Sequence, residues 1–185
     1  EEGQGFETTV EYKQGMEIDR GYLSPYFVTD ETRGEAIIKN PYILLTDLKI
    51  SHNYELIPFM ENLMKQGIKD IVIFASTIDD EALATLVVNK LRGMINVLAI
   101  MAPSFGERRV DELEDLATLT GGHVVTVDSG RELESVQIEE LGRADKVISD
   151  RNKTVILNGK GSKSAIEKRI LDLKDQISIV GTDYD

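Results

Sequence analysis

The residues that could do chemistry in this chain are few and poorly spaced for it. His52 and His123 are the only histidines, and neither has a second His at the spacing of a helical metal-ligand pair. Both are expected to be structural or surface residues. Ser104, in Ala-Pro-Ser-Phe-Gly, lacks the glycine two positions earlier that a nucleophile elbow requires, and is read as a loop residue. Cysteine is absent, which removes a thiol nucleophile, a thiolate-held metal and a disulfide scaffold, and suits a reducing compartment.

Two further clusters deserve weighing. Gly159-Lys160-Gly161 follows an expected strand and precedes an expected helix, the setting of a dinucleotide fingerprint, yet Ser164 stands where the third glycine belongs. A tight turn with Ser162 or Ser164 capping the last helix accounts for it without a ligand. Lys163-Ser164 also misses the P-loop spacing. Asp79-Asp80-Glu81 stands immediately before a helical pattern, where negative charge complements the helix dipole; capping explains it better than a carboxylate site.

These groups must be held by a chain of 185 residues, long enough for one large domain with a real core. Lys and Arg number 21 against 33 Asp and Glu, a formal charge of -12, so nucleic acid and anionic membranes are unfavourable partners. No apolar run approaches membrane length. The opening Glu1-Glu2-Gly3-Gln4 has neither a basic nor an apolar leader region and is expected to be cut from a longer chain.

The first forty residues are short, β-leaning and broken by glycine, with Thr8 to Tyr12 and Glu35 to Lys39 as strand-like pieces. Pro41 to Leu45, Asp70 to Phe74 and Asn96 to Met101 then repeat an apolar, β-branched run at intervals that fit intervening helices. This alternation predicts that the middle of the chain is α/β with a mainly parallel sheet. A helix from about Val110 to Leu119 should stop at Gly121-Gly122, followed by strands at His123 to Val127 and Lys153 to Leu157. Ile166, Ile170, Leu173, Ile177 and Val180 form one apolar stripe on a helix over Ser164 to Val180.

Two helices carry more apolar surface than one core face uses. Between Tyr54 and Gln66, Leu56, Ile57, Phe59, Met60, Leu63 and Met64 span roughly 160° of the helix circumference, against the usual ~100°. Between Asp80 and Arg92, Leu83, Leu86, Val87, Val88, Leu91, Ala82 and Ala84 leave few polar positions. Either both helices are buried between sheet and neighbour, or they border an exposed apolar groove.

The stretch Gly15-Met16-Glu17-Ile18-Asp19-Arg20-Gly21-Tyr22-Leu23-Ser24-Pro25-Tyr26-Phe27 resembles the start of the apical domain of group I chaperonins, the GroEL family. Asp80 to Asn89, Arg92-Gly93, Ala102-Pro103, Phe105-Gly106, Arg108-Arg109, Ala117 to Gly122 and the closing Asp183-Tyr184-Asp185 are similar in the same order. The likeness implies an apical-domain-like α/β fold over residues 15–185, a central sheet or sandwich core flanked by helices with an exposed apolar helix pair. Residues 1–14 would be an extension from the intermediate-domain side, with Gly15 at the hinge.

By position, the family's binding groove carries over to Tyr22, Ser24, Tyr26 and Phe27 on the aromatic segment, Ile57 and Met60 on the first helix, and Leu83, Val87, Val88 and Asn89 on the second. The resemblance implies that this groove holds non-native polypeptide and the mobile loop of a GroES-type co-chaperonin. Gly21 and Pro25 would keep the aromatic wall extended and non-helical.

The implied whole is an ATP- and Mg-dependent homo-oligomeric double ring in the cytoplasm, or in an organellar matrix or stroma. The family's nucleotide motif is absent here, so this segment is expected to carry no cofactor and no ATPase activity. Ser104 stands where the family has glycine, and Asn53 and Met60 replace larger aliphatics at the groove mouth. The competing expectation is an α/β small-molecule enzyme that grips a phosphate at residues 159–164.

Overall fold

The structure, a computed structural model, describes residues 15–172. The expected extension at 1–14, the piece at Thr8 to Tyr12 and the end of the last helix lie outside the described residues.

The apolar runs become strands where the sequence places them. Strands β1 (Gly15–Ile18), β2 (Ala36–Lys39), β3 (Tyr42–Thr46), β4 (Lys49–Ile50), β5 (Asp70–Ala75), β6 (Thr77–Ile78), β7 (Asn96–Met101), β8 (Val124–Val125), β9 (Gly142–Ser149) and β10 (Thr154–Gly159) are joined by α1 (Asn53–Lys65), α2 (Asp80–Leu91) and α3 (Gly106–Thr120). Residues 163–172 are helical and form α4. No described helix is long and apolar enough to cross a membrane.

The middle of the sheet is parallel as expected, and antiparallel strands from the two ends of the chain make the whole sheet mixed. Strands β3, β5 and β7 run parallel, with α1 and α2 in the two crossovers, and β8 joins β3 in parallel. By contrast β1, β10, β9 and β2 pair antiparallel. Strand β9 joins the halves: Gly142 and Arg143 pair with β3, whereas Lys146 to Ser149 pair with β2. Its Arg143, Asp145 and Lys146 hide the alternation, and no strand was expected there. Because β2 also lies against β5 and β7, the antiparallel half folds over the parallel half in a sandwich-like core.

The core runs continuously from Ile71 to Ala75 and Val97 to Ile100 into Leu56, Phe59 and Leu63 of α1, Leu86 of α2, and Leu113 and Leu116 of α3. Each such side chain contributes about 1.5–3 kcal/mol on burial. Helix α3 starts four residues before its apolar pattern does and ends at Gly121, whose φ of 77° closes the helix in the left-handed region. The strand expected at His123 to Val127 shrinks to Val124–Val125, because only those two residues find β3, and the chain then tightens into a 3-10 turn at Val127–Ser129.

Candidate functional site

Helices α1 and α2 lie side by side because their N-termini share a polar clasp. The Glu81 carboxylate accepts the Asn53 backbone N–H at 2.8 Å, and the Thr85 hydroxyl donates to Asn53 Oδ1 at 2.6 Å. Asp79 stands at the N-cap of α2 without a side-chain cap bond, and Glu81 instead caps the neighbouring helix. Glu55, three residues after His52, accepts the N–H groups of Ser51 and His52, which occupies it at the start of α1. Both histidines are exposed, and no group of three metal-ligating residues exists among the described residues.

The wide apolar stripes divide between core and surface. In α1, Leu56, Phe59, Met60 and Leu63 are buried while Ile57 and Met64 are exposed. In α2 only Ala82 and Leu86 are buried; Leu83 and Val87 are half-buried, and Val88 and Leu91 stand 43 % and 66 % exposed. Helical spacing puts Ala84, Val88 and Leu91 along one outward line. The helices are thus not covered all round.

Beside α2 lies the aromatic segment, which packs on it. Pro25–Phe27 is one turn of 3-10 helix, capped by Ser24, whose Oγ accepts the Tyr26 N–H at 3.2 Å. This corrects the expectation of an extended wall: proline at the first position of a turn fixes a helical φ as readily as an extended one. The turn sends its two rings in opposite directions. Tyr26 is 62 % exposed, whereas Phe27 is fully buried.

The residues carried over by position therefore separate. Tyr26, Ile57 and Val88 present apolar surface, with Leu83, Val87 and Asn89 half-buried at its sides. Phe27 and Met60, at 0 % and 5 %, belong to the core, and Ser24 is buried as a cap. None of these three offers surface to a ligand in this conformation. Tyr22 is half-buried and held by its hydroxyl on the Gly34 carbonyl and its N–H on Asp150 O. Gly15 opens β1 opposite Leu157, where a Cβ would stand 2.3 Å from Ile156 O; close strand pairing explains that glycine without a hinge.

Leu91, Met64 and Met94 are also exposed but have no place in the positional carry-over. Leu91 was findable, three residues beyond Val88 on the same helical line. A shallow recess of about 370 Å³ lies along α2 beside the start of α1, lined by Asn53, Glu81, Ala84, Thr85, Val88 and Asn89. A second, of about 450 Å³, opens at the far end of α2 between Tyr26 and Leu91. There the Lys90 ammonium donates to Asn96 Oδ1 at 2.9 Å, and the Asn96 amide donates to Asp70 at 2.9 Å. Burial pushes the Lys90 ammonium down from its ordinary value, while Asp70 pulls it back.

The turn at residues 159–164 has two of its backbone donors already engaged. The N–H of Lys160 donates to Arg143 O and that of Gly161 to Leu119 O, both at 2.9 Å, so those donors are already occupied. A Cβ at Gly161 would come within 1.9 Å of Thr118 O, and one at Gly159 within 2.3 Å of Leu119 O. Both glycines are small because they meet the C-terminal end of α3, whose carbonyls repel an anion. Ser162 caps α4 by accepting the Ala165 N–H at 3.1 Å.

Ser104 adopts a φ of 58°, in the left-handed region. It sets the exposed Phe105 between Arg20 and Arg109, whose guanidinium carbons lie 5.3 and 5.4 Å from the ring centre. Arg109 is largely buried and donates to Pro103 O and Ser76 Oγ. Burial, and then the Arg20 charge, pull its pKa down from the ordinary value, with Asp47 opposing. No family model matches the chain.

Proposed function

We propose that this chain is the polypeptide-binding apical module of a group I, GroEL-type chaperonin, and that it works by reversible apolar capture rather than catalysis. The observation that carries the reading is the outward apolar surface of Tyr26, Ile57, Val88 and Leu91 on elements packed side by side. Leu83 and Val87 are half-buried on the same helix as Val88 and Leu91.

Burying a Val, Leu or Ile fully contributes about 1.5–3 kcal/mol, so four or five partial contacts, less the cost of ordering the peptide, leave roughly micromolar binding near -8 kcal/mol. Apolar attraction is non-directional, and Met64 and Met94 adapt in shape, so many sequences are accepted. The same surface would take a GroES-type loop, and repetition around a homo-oligomeric ring would add avidity. ATP and Mg would act in a domain outside this sequence, and neither nucleic acid nor membrane is a partner.

The test is a fluorescence-anisotropy titration of a labelled amphipathic peptide against the wild-type chain and Val88→Glu. Val88 is 43 % exposed, so the variant keeps its core. Micromolar binding by the wild type and at least tenfold weaker binding by a cooperatively folded Val88→Glu supports the reading. Equal binding by both places the peptide elsewhere and overturns it.

A further inference from the structure

The peptide surface along α2 ends in a cavity of a different character. Its walls are Tyr26 and Val28 from the aromatic turn and Leu91 and Ile95 from the end of α2 and the start of β7, with Lys69, Lys90, Asp70 and Asn96 supplying the polar groups. Three chain segments far apart in sequence meet there. Leu91 belongs both to this cavity and to the outward line of Val88, so one extended peptide can lie across both.

The charge at this end runs against that of the molecule. Lys69 and Lys90 line the cavity with a single carboxylate, Asp70, in a chain of net charge -12. Asp70 is already engaged by Asn96, and Lys90 spends one donor on Asn96 Oδ1, leaving two N–H donors for a further acceptor. Helix-dipole complementation accounts for Lys90 in the last turn of α2. It accounts neither for Lys69, which lies outside the helix, nor for the open space of about 450 Å³ beside it. Partial burial weakens the ammonium's hydration, so an arriving carboxylate gains more here than at a free surface lysine.

We infer that this cavity reads charge on the bound polypeptide: it receives the side-chain carboxylate of an Asp or Glu adjoining the apolar stretch, between Lys69 and Lys90 with Tyr26 and Leu91 against its methylenes. The inference rests on the peptide-capture reading above and narrows it, since the favoured clients are apolar segments flanked by acid rather than apolar segments at large. The sign is opposite to what the overall charge dictates.

The experiment uses two labelled peptides with one apolar core, flanked on both sides by Glu in one and by Gln in the other, at low ionic strength. The wild-type chain is expected to bind the Glu peptide about three- to fivefold more tightly. Lys90→Met and Lys69→Gln should each cut that preference below about twofold while still binding the Gln peptide. Lys65→Gln, which removes the same charge from a residue that does not line the cavity, should keep it. Equal binding of the two peptides by the wild type, or a preference that survives in both cavity variants, overturns the inference and leaves apolar capture standing. Failure of both peptides to bind the wild type overturns the two together.

Discussion

The Thr85 hydroxyl donates to Asn53 Oδ1 at 2.6 Å, joining the first turn of α1 to the second turn of α2. With Glu81 on the Asn53 backbone N–H, one asparagine fixes how the two helices sit side by side. Replacing Thr85 by valine keeps the shape and leaves Asn53 Oδ1 without its donor, which costs about 1 kcal/mol. Urea unfolding of Thr85→Val, Asn53→Ala and the double variant should give a coupling energy of roughly 0.5–1 kcal/mol. Strict additivity would mean that the bond does not hold the pair.

Tyr26 and Phe27 are adjacent in sequence and opposite in burial, so alanine at each position should act on a different property. Tyr26→Ala is expected to leave the denaturation midpoint almost unchanged and to weaken amphipathic-peptide binding several-fold. Phe27→Ala opens a cavity in the core and should cost about 3–5 kcal/mol. Chemical denaturation and anisotropy on the same two proteins separate the effects. A large stability loss in Tyr26→Ala would contradict the orientation of the turn.

Strands β3, β5, β7 and β10 were legible because their apolar, β-branched runs are buried on both faces and need no knowledge of their neighbours. Strand β9 was not, since its charged positions face out from a sheet whose other half is distant in sequence. The helix pair was legible as too apolar, but periodicity cannot say which half of a wide stripe meets the core. The aromatic turn and α1 both pack on α2, and that packing, which periodicity does not encode, leaves Leu91 outside while Met60 goes in. The Lys69–Lys90 cavity had no signal at all, because it is assembled from three separate segments.

Ser104 carries a strained backbone that glycine would relieve. A non-glycine residue in the left-handed region costs roughly 1–2 kcal/mol, partly offset because glycine also loosens the unfolded chain. Ser104→Gly is therefore expected to raise stability by about 0.5–1 kcal/mol, read as a higher urea midpoint at unchanged slope. Peptide affinity should not move, since Ser104 lies outside the α2 surface. A lower midpoint would mean that the serine side chain makes a contact worth more than the strain.

Acid should loosen the support of α1 through Glu140. Its carboxylate accepts from Arg131 at 2.6 and 2.7 Å and from the Gln137 N–H at 2.8 Å. The Arg131 bonds above all, then the Gln137 N–H, hold its pKa at about 2 against an ordinary 4.5, with partial burial opposing. A carboxyl depressed by folding contributes stability that is complete above pH 4.5 and is lost as pH falls toward 2. The pair is partly exposed, so its contribution is about 1 kcal/mol rather than the full shift. It braces Leu133–Ser135, a 3-10 turn that packs on α1 and buries Leu133 against the core. Urea unfolding at pH 6 and pH 3 should show the wild type losing roughly 0.5 kcal/mol more than Glu140→Gln between the two, with the remainder lost only as pH nears 2. Parallel pH profiles would show that the pair braces nothing.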